Sequence, residues 1–112
     1  MRYFKDAEFI MDGEVVYSKM QSQFLALLDQ LRGEVGEPLL INSSYRSEEY
    51  NEQIGGVKNS MHVHGRAVDL HCDNSRLRAK IVRVALSLGL TVGVNSTFIH
   101  VDNRDNQIMF TY

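Results

Sequence analysis

The sequence feature that most constrains the fold of this chain is the segment 60–71, which is SMHVHGRAVDLH. His62 and Asp69 are seven positions apart, and seven residues of α-helix rise by about 10 Å. A helix would therefore separate these two side chains. A turn at Gly65 would bring them back together, because glycine accepts the backbone angles of tight turns. We expect a turn at Gly65 and a strand over residues 66–71.

Two predicted strands share a pattern of alternating apolar and polar residues. In the first, Val68 and Leu70 occupy one face and Asp69 the other. The second strand, FIHVD at 98–102, places Ile99 and Val101 on one face and Phe98, His100 and Asp102 on the other. Asp69 and His100 thus fall on one polar face, and His62 can close over them from its loop. Two histidines and an aspartate with an open fourth position suit catalytic zinc. Spacing alone leaves an incidental grouping of histidines equally open.

The remaining pattern predicts a single α+β domain over residues 1–112. Ser18 is the expected N-cap of a first long helix, whose apolar residues recur at helical spacing as far as Gly33. Ser47 is expected to cap a short helix to about Ile54, and Ser75 a second long helix. Short strands are expected at 39–41, 90–94 and 107–112, in addition to those at 66–71 and 98–102. Helices would pack on one face of a small, mainly antiparallel sheet.

Composition excludes several classes of function. The net charge of −2 and scattered basic residues give no nucleic-acid footprint, and no apolar run is long enough to span a membrane. Cys72 is the only cysteine, so an intrachain disulfide and a Cys-rich zinc motif are both excluded. The N-terminus lacks the apolar stretch of a signal peptide. We therefore expect a cytoplasmic protein, which acts elsewhere only if another factor releases it.

A resemblance extends over nearly the whole chain. The stretch INSSYRSEEYN at 41–51, the pair Gly55-Gly56, the pattern S-x-H-x-x-G-x-A-x-D at 60–69 and FIHVD at 98–102 occur in that order. Together they resemble the zinc D-Ala-D-Ala carboxypeptidase family, which includes L-Ala-D-Glu endolysins and vancomycin-resistance dipeptidases. That family shares its fold with the Hedgehog signalling domain. The motifs are specific only in combination.

The resemblance implies roles for individual residues. It makes His62, Asp69 and His100 the ligands of one Zn²⁺ per chain, and it makes Arg46 the group that binds a substrate carboxylate or carbonyl and stabilises the oxyanion. A structural ion pair of Arg46 with Glu48, Glu49 or Asp69 is the alternative. Ser60 would contact substrate or stabilise a turn, and Tyr50 would line the groove or pack. Asp102 would orient an imidazole or lie on the surface, while His64 and His71 are expected not to bind the metal.

The function implied is zinc-dependent hydrolysis of a peptide bond in bacterial peptidoglycan, by a carboxypeptidase or an endolysin-like endopeptidase. The expected partner is a peptidoglycan stem peptide, with neither nucleic acid nor membrane, and the expected state is a monomer. The small size and the missing signal peptide resemble a phage or prophage product. Two alternatives remain: a zinc-stabilised module that binds peptidoglycan or a protein without cutting it, and a structural component such as a virion protein.

One position departs from the family pattern. Many relatives carry Glu or Asp three residues before the last ligand histidine, where the carboxylate acts as general base. Here that position is Thr97, whose hydroxyl is not a base near neutral pH. We expect Asp102, His64 or His71 to substitute, or turnover to be slow, or the protein to bind without cutting.

Overall fold

A computed structural model describes all 112 residues, Met1–Tyr112. It contains three α-helices, which are α1 (Ser22–Val35), α2 (Glu48–Gln53) and α3 (Ser75–Ser87). The seven strands are β1 (Ile10–Met11), β2 (Glu14–Val15), β3 (Ile41–Ser43), β4 (Ala67–His71), β5 (Thr91–Val94), β6 (Phe98–Asp102) and β7 (Met109–Thr111). No helix has both the length and the apolar character needed to cross a membrane.

The main sheet has five strands in the order β3-β4-β6-β5-β7. Every neighbouring pair is antiparallel except β5 and β7, which are parallel. The central pair, β4 and β6, sets Val68 opposite Val101 and Asp69 opposite His100. Directly opposed residues have their side chains on the same face, so this register gives the pair one apolar and one polar face. The predicted α+β fold with a mainly antiparallel sheet is confirmed.

The hydrophobic core lies between the apolar face of the sheet and the two long helices. Helix α1 contributes Phe24, Leu28 and Leu31, and α3 contributes Ile81 and Ala85, all of them fully buried. The apolar residues of β4 and β6 complete the same cluster. Burial of such side chains stabilises the fold by about 1.5–3 kcal/mol each. The short α2 does not join this layer and leads into the loop 54–57, close to the polar face.

Three local predictions need correction. Helix α1 begins at Ser22, because residues Tyr17–Lys19 form a 3₁₀ turn and the Gln21 N–H donates to the Gly65 carbonyl at 2.8 Å. The N-cap of α3 is Asn74, whose side chain accepts from the Leu77 N–H at 2.8 Å. The first strand of the main sheet is shifted to Ile41–Ser43. The first sixteen residues also contain a hairpin, β1–β2, around a turn at Asp12-Gly13.

The turn at Gly65 is present and requires glycine for two reasons. Its φ angle is +68°, in the left-handed region that other residues rarely adopt. A Cβ at this position would also overlap the Lys19 carbonyl oxygen. The start of α1 therefore packs directly on this turn, which holds the His62 loop against the sheet.

Candidate metal centre

The polar face of the β4–β6 pair brings His62, Asp69 and His100 into one group. One potential ligand atom from each residue lies within 4.8 Å of the other two. All three side chains are buried, with 3%, 8% and 5% of their residue surfaces exposed. Asp69 and His100 face each other across the strand ladder, and His62 reaches them from the loop before Gly65. A chain separation of 38 residues between the histidines is thus closed by sheet pairing and one turn.

A backbone carbonyl fixes the orientation of the His62 ring and the nitrogen that carries its proton in the neutral form. Its Nδ1 lies 2.8 Å from the Ser44 carbonyl oxygen, which can only accept a hydrogen bond. Nδ1 therefore carries the proton and donates. The opposite nitrogen, Nε2, lies 3.2 Å from Asp69 Oδ1. In the neutral ring that nitrogen points a lone pair into the group of ligand atoms.

A buried carboxylate does the same for His100. Asp102 is fully buried, and its Oδ2 lies 2.7 Å from His100 Nε2. The His100 Nδ1 then faces Asp69 Oδ1 at 3.0 Å. Arg104 donates to both carboxylate oxygens of Asp102 through Nε and Nη2. The position of Asp102 agrees with a residue that orients an imidazole and excludes a surface location.

The donor set fits a divalent metal ion. Two imidazole lone pairs and a carboxylate oxygen converge, and three acceptors at this distance need a cation between them. In the absence of a metal ion, a proton is the cation that lies between these acceptor atoms. Burial lowers the pKa of His100, but hydrogen bonds to Asp102 and Asp69 outweigh this effect and hold the pKa above its ordinary value. Burial raises the pKa of Asp69, and its close contacts with the His100 and His62 rings hold it below its usual range.

The three residues open onto a cleft of about 570 Å³. Arg46 lies in its wall, with Nη2 at 3.3 Å from Asp69 Oδ2. Asp69 thus presents one oxygen to the histidines and the other to the guanidinium. The full lining consists of Arg46, Gly55, Gly56, Val57, Ser60, His62, Asp69, Phe98, His100, Arg104, Ile108, Phe110 and Tyr112. Two histidines and a carboxylate with a cleft on one side suit a metal ion that keeps an open coordination position.

Comparison with known families identifies the family of the chain. The family model for Peptidase M15 matches residues 2–102. The chain belongs to the peptidase M15 family. The resemblance found in the sequence is therefore confirmed, and with it the assignment of a peptidase. A search of curated proteins gives no match to the chain. M15 peptidases depend on zinc, and the buried His-Asp-His group of this M15 domain is the place where a metal ion fits.

Of the two further residues predicted to contact substrate, Ser60 lines the cleft and Tyr50 does not. Ser60 is buried in the cleft wall, and its hydroxyl accepts a hydrogen bond of 3.2 Å from the His62 N–H. This hydroxyl therefore stabilises the turn that leads into His62. Tyr50 lies in α2, and no residue of that helix lines the cleft. The next residue along the chain that does so after Arg46 is Gly55. The predicted groove contact of Tyr50 has no support in this geometry.

The groups considered as a substitute general base lie outside the cleft. His64 and His71 are exposed, and His71 pairs with Asp73 at 3.6 Å. Thr97 is exposed in the turn before β6, where its hydroxyl donates to Asn95 Oδ1. Both oxygens of Asp102 are occupied by His100 and Arg104. Asp69 is therefore the only carboxylate in the cleft lining.

Three aromatic residues that sequence reasoning did not assign to the site, Phe98, Phe110 and Tyr112, line the cleft beside His100. Phe110 lies 5.7 Å from the His100 ring between centroids, and Tyr112 contacts both Phe98 and Phe110. Gly93 makes this possible, because a Cβ there would overlap the Phe110 ring. The sequence indicated this aromatic wall only weakly, because aromatic residues in a strand are usually taken as core residues. Burial and the charge of Asp69 raise the pKa of Tyr112 to about 12, so its hydroxyl is a donor near neutral pH.

Proposed function

We propose that this M15 domain hydrolyses a peptide bond in the stem peptides of bacterial peptidoglycan, with one zinc ion held by His62, Asp69 and His100. We term His62, Asp69 and His100 the metal group. The observation that carries the proposal is the position of Arg46, which lies beside this group and in the wall of the same cleft. A purely structural zinc would usually be enclosed by four protein ligands. Here three candidate ligands face a cleft large enough to admit a peptide.

Arg46 is held where a developing negative charge can be stabilised. Its Nε donates to Ser43 Oγ at 3.2 Å and its Nη2 to Asp69 Oδ2 at 3.3 Å. The guanidinium stays charged at any physiological pH and has donors left for a substrate oxygen. A preorganised donor of this kind lowers the barrier to hydrolysis because it need not reorient during the reaction. The ion pair with Asp69 and the catalytic role are therefore compatible.

The protein supplies little help with proton transfer. When bound, zinc acts as a Lewis acid that makes water a better nucleophile and polarises the scissile carbonyl. The cleft offers no unpaired carboxylate, and the raised pKa of Tyr112 keeps its hydroxyl protonated near neutral pH, so it cannot accept a proton there. General acid–base catalysis usually contributes about 10²–10⁴-fold. We therefore propose a working enzyme with modest turnover.

The charge of the cleft supports an anionic substrate. Its two guanidiniums, Arg46 and Arg104, pair with the carboxylates of Asp69 and Asp102, so these four charges balance. A bound Zn²⁺ would make the site positive, and opposite charge attracts a ligand more strongly inside a cleft than in open water. Peptidoglycan stem peptides carry free carboxylates, which suits this positive charge.

The test is digestion of purified muropeptides by the zinc-loaded protein, followed by mass spectrometry of the products. The wild type should release a fragment from one stem-peptide bond. Arg46→Ala should lower the rate by about 10²–10³-fold, the usual cost of losing an oxyanion donor, while zinc remains bound. Arg76→Ala is the matched control, because that arginine lies on the exposed side of α3. Wild-type rates in Arg46→Ala would refute the proposed role.

A second candidate is a module that binds peptidoglycan without cutting it. The specific observation in its favour is the lack of a carboxylate base, since Thr97 stands at the family's base position and lies outside the cleft. Binding without hydrolysis by the wild type, across several muropeptides with zinc present, would establish this reading. Thr97→Glu distinguishes the two further: a gain in rate shows that a missing base limits an existing activity.

A further inference from the structure

Asn51 is a buried amide next to the cleft, with only 4% of its surface exposed. It belongs to α2, and its Nδ2 donates to the Val57 carbonyl at 2.8 Å. Its Oδ1 lies 3.4 Å from Nη1 of Arg46. One side chain thus contacts two separate parts of the cleft wall: the Arg46 guanidinium and the segment 55–57, which we term the cleft lip.

The cleft lip is shaped to fit this amide. The Gly56 N–H donates to the Asn51 backbone carbonyl at 2.8 Å. A Cβ on Gly56 would overlap the Oδ1 atom of Asn51, so only glycine lets the lip pack this closely. Gly56 and Val57 both line the cleft. Their positions therefore depend on Asn51 through its backbone, its amide nitrogen and its amide oxygen.

Arg46 depends on the same residue in a different way. Its three side-chain contacts, to Ser43 Oγ, Asp69 Oδ2 and Asn51 Oδ1, are 3.2, 3.3 and 3.4 Å long. Hydrogen bonds of this length are individually weak, so the direction of the guanidinium results from all three together. Asn51 supplies the only contact to Nη1. Loss of that acceptor would free one edge of the guanidinium to turn toward solvent.

We propose that Asn51 is a positioning residue that fixes the Arg46 guanidinium and the cleft lip relative to each other. The inference rests on the proposed function in so far as Arg46 acts on substrate. Asn51 touches neither the metal group nor the open part of the cleft, so it acts through Arg46 and the lip. Groups that must be aligned to a fraction of an ångström for reaction are sensitive to such support.

Two substitutions separate the two contacts. Asn51→Ala removes both. Asn51→Asp keeps an acceptor for Arg46 but replaces the donor to Val57 with an oxygen, which that carbonyl repels. Asn74→Ala is the matched control: it removes an amide that caps α3 and therefore costs stability away from the cleft. Gly56→Ala provides an independent route to the same disturbance, since its Cβ meets the Asn51 amide.

The experiment combines three readouts on zinc-loaded protein: the NMR signal of the Arg46 Nε–H, hydrogen exchange at the Gly56 amide, and kcat and KM on muropeptides. Asn51→Ala should shift or broaden the Arg46 signal, accelerate Gly56 exchange and lower kcat by about tenfold to a hundredfold with a smaller change in KM. Asn51→Asp should restore the Arg46 signal and part of kcat while Gly56 exchange stays fast. Asn74→Ala should change none of these.

The proposal is overturned if Asn51→Ala leaves both the Arg46 signal and Gly56 exchange as in the wild type, or if Asn74→Ala alters them equally. Should Asn51→Ala fail to fold, Asn51→Asp and Gly56→Ala decide by the same readouts. If the wild type cleaves no muropeptide, the proposed function fails, whereas the two NMR readouts still decide whether Asn51 holds Arg46 and the lip.

Discussion

The β4–β6 strand pair has ten residues, and its two faces differ in how their side chains are satisfied. On one face Val68, Leu70, Ile99 and Val101 are fully buried against the helices. On the other, Asp69 and His100 meet as direct neighbours beside His62. The first face is stabilised by burial alone. The second places acceptor atoms together and is satisfied only by a cation.

This difference shows how the fold and the site share one pattern. Strand alternation that buries the apolar side chains necessarily turns the polar ones to the opposite side. A shift of one residue in register would exchange the two sets, so the core that stabilises the sheet also fixes the metal group. Substitutions on the apolar face should therefore cost stability, and those on the polar face should cost metal binding.

The largest effect is expected from removing a ligand on the polar face. Asp69→Ala, His62→Ala and His100→Ala should each weaken zinc affinity by more than about 100-fold, beyond the loss typical of residues that only support a ligand. Competition with a chromophoric chelator measures this. His64→Ala and His71→Ala serve as controls and should bind zinc as the wild type does, since both side chains are exposed outside the cleft. Unchanged affinity in Asp69→Ala would show that the polar face does not bind the zinc.

On the apolar face, Leu70→Ala should lower the free energy of unfolding by about 2–5 kcal/mol, because a fully buried leucine leaves a cavity. The folded fraction should keep its zinc stoichiometry. Denaturant unfolding gives the value, and Leu40→Ala is the matched control, as that leucine is 64% exposed. Equal losses in the two variants would contradict the assignment of Leu70 to the core.

Asp102→Asn separates support of a ligand from ligation itself, because Asp102 is buried on the polar face without being a candidate ligand. Its carboxylate accepts from His100 Nε2 and holds the ring with Nδ1 toward Asp69. An amide holds this orientation less well, so zinc affinity should fall by about 10–100-fold. Asp105→Asn, at an exposed carboxylate nearby, should have no such effect. The same competition assay decides, and equal affinities would argue against an orienting role.

The smallest effect is expected away from both faces, at the exposed ion pairs of Glu37 with Arg76 and Lys80. Hydrogen bonds from Arg76 and then Lys80 lower the pKa of Glu37 to about 2. A lowered folded-state pKa gives stability that is present above the unfolded-state pKa of about 4.3 and is lost as pH falls toward 2. The difference in melting temperature between wild type and Glu37→Gln should therefore shrink below about pH 4. A constant difference would show that the ion pairs are not its source.

Sequence reasoning recovered what depends on local periodicity and on motif order. The faces of β4 and β6 followed from alternation, and the grouping of His62 with them followed from the turn at Gly65. The start of α1 did not, because Ser18 offers a good local cap and the actual start depends on the distant contact between Gln21 and Gly65. Asn51 and Phe110 were missed for the same reason. Their roles come from neighbours that only the folded chain brings together.

The ligands of the zinc can be identified directly from the X-ray absorption spectrum of the zinc-loaded wild type. We expect one zinc per chain with nitrogen and oxygen ligands at about 2.0–2.1 Å, and with the outer-shell scattering of two imidazoles. No sulfur should contribute, since Cys72 is buried in the hydrophobic core. A sulfur ligand at about 2.3 Å, scattering from fewer than two imidazoles, or no retained zinc would contradict the assignment of His62, Asp69 and His100.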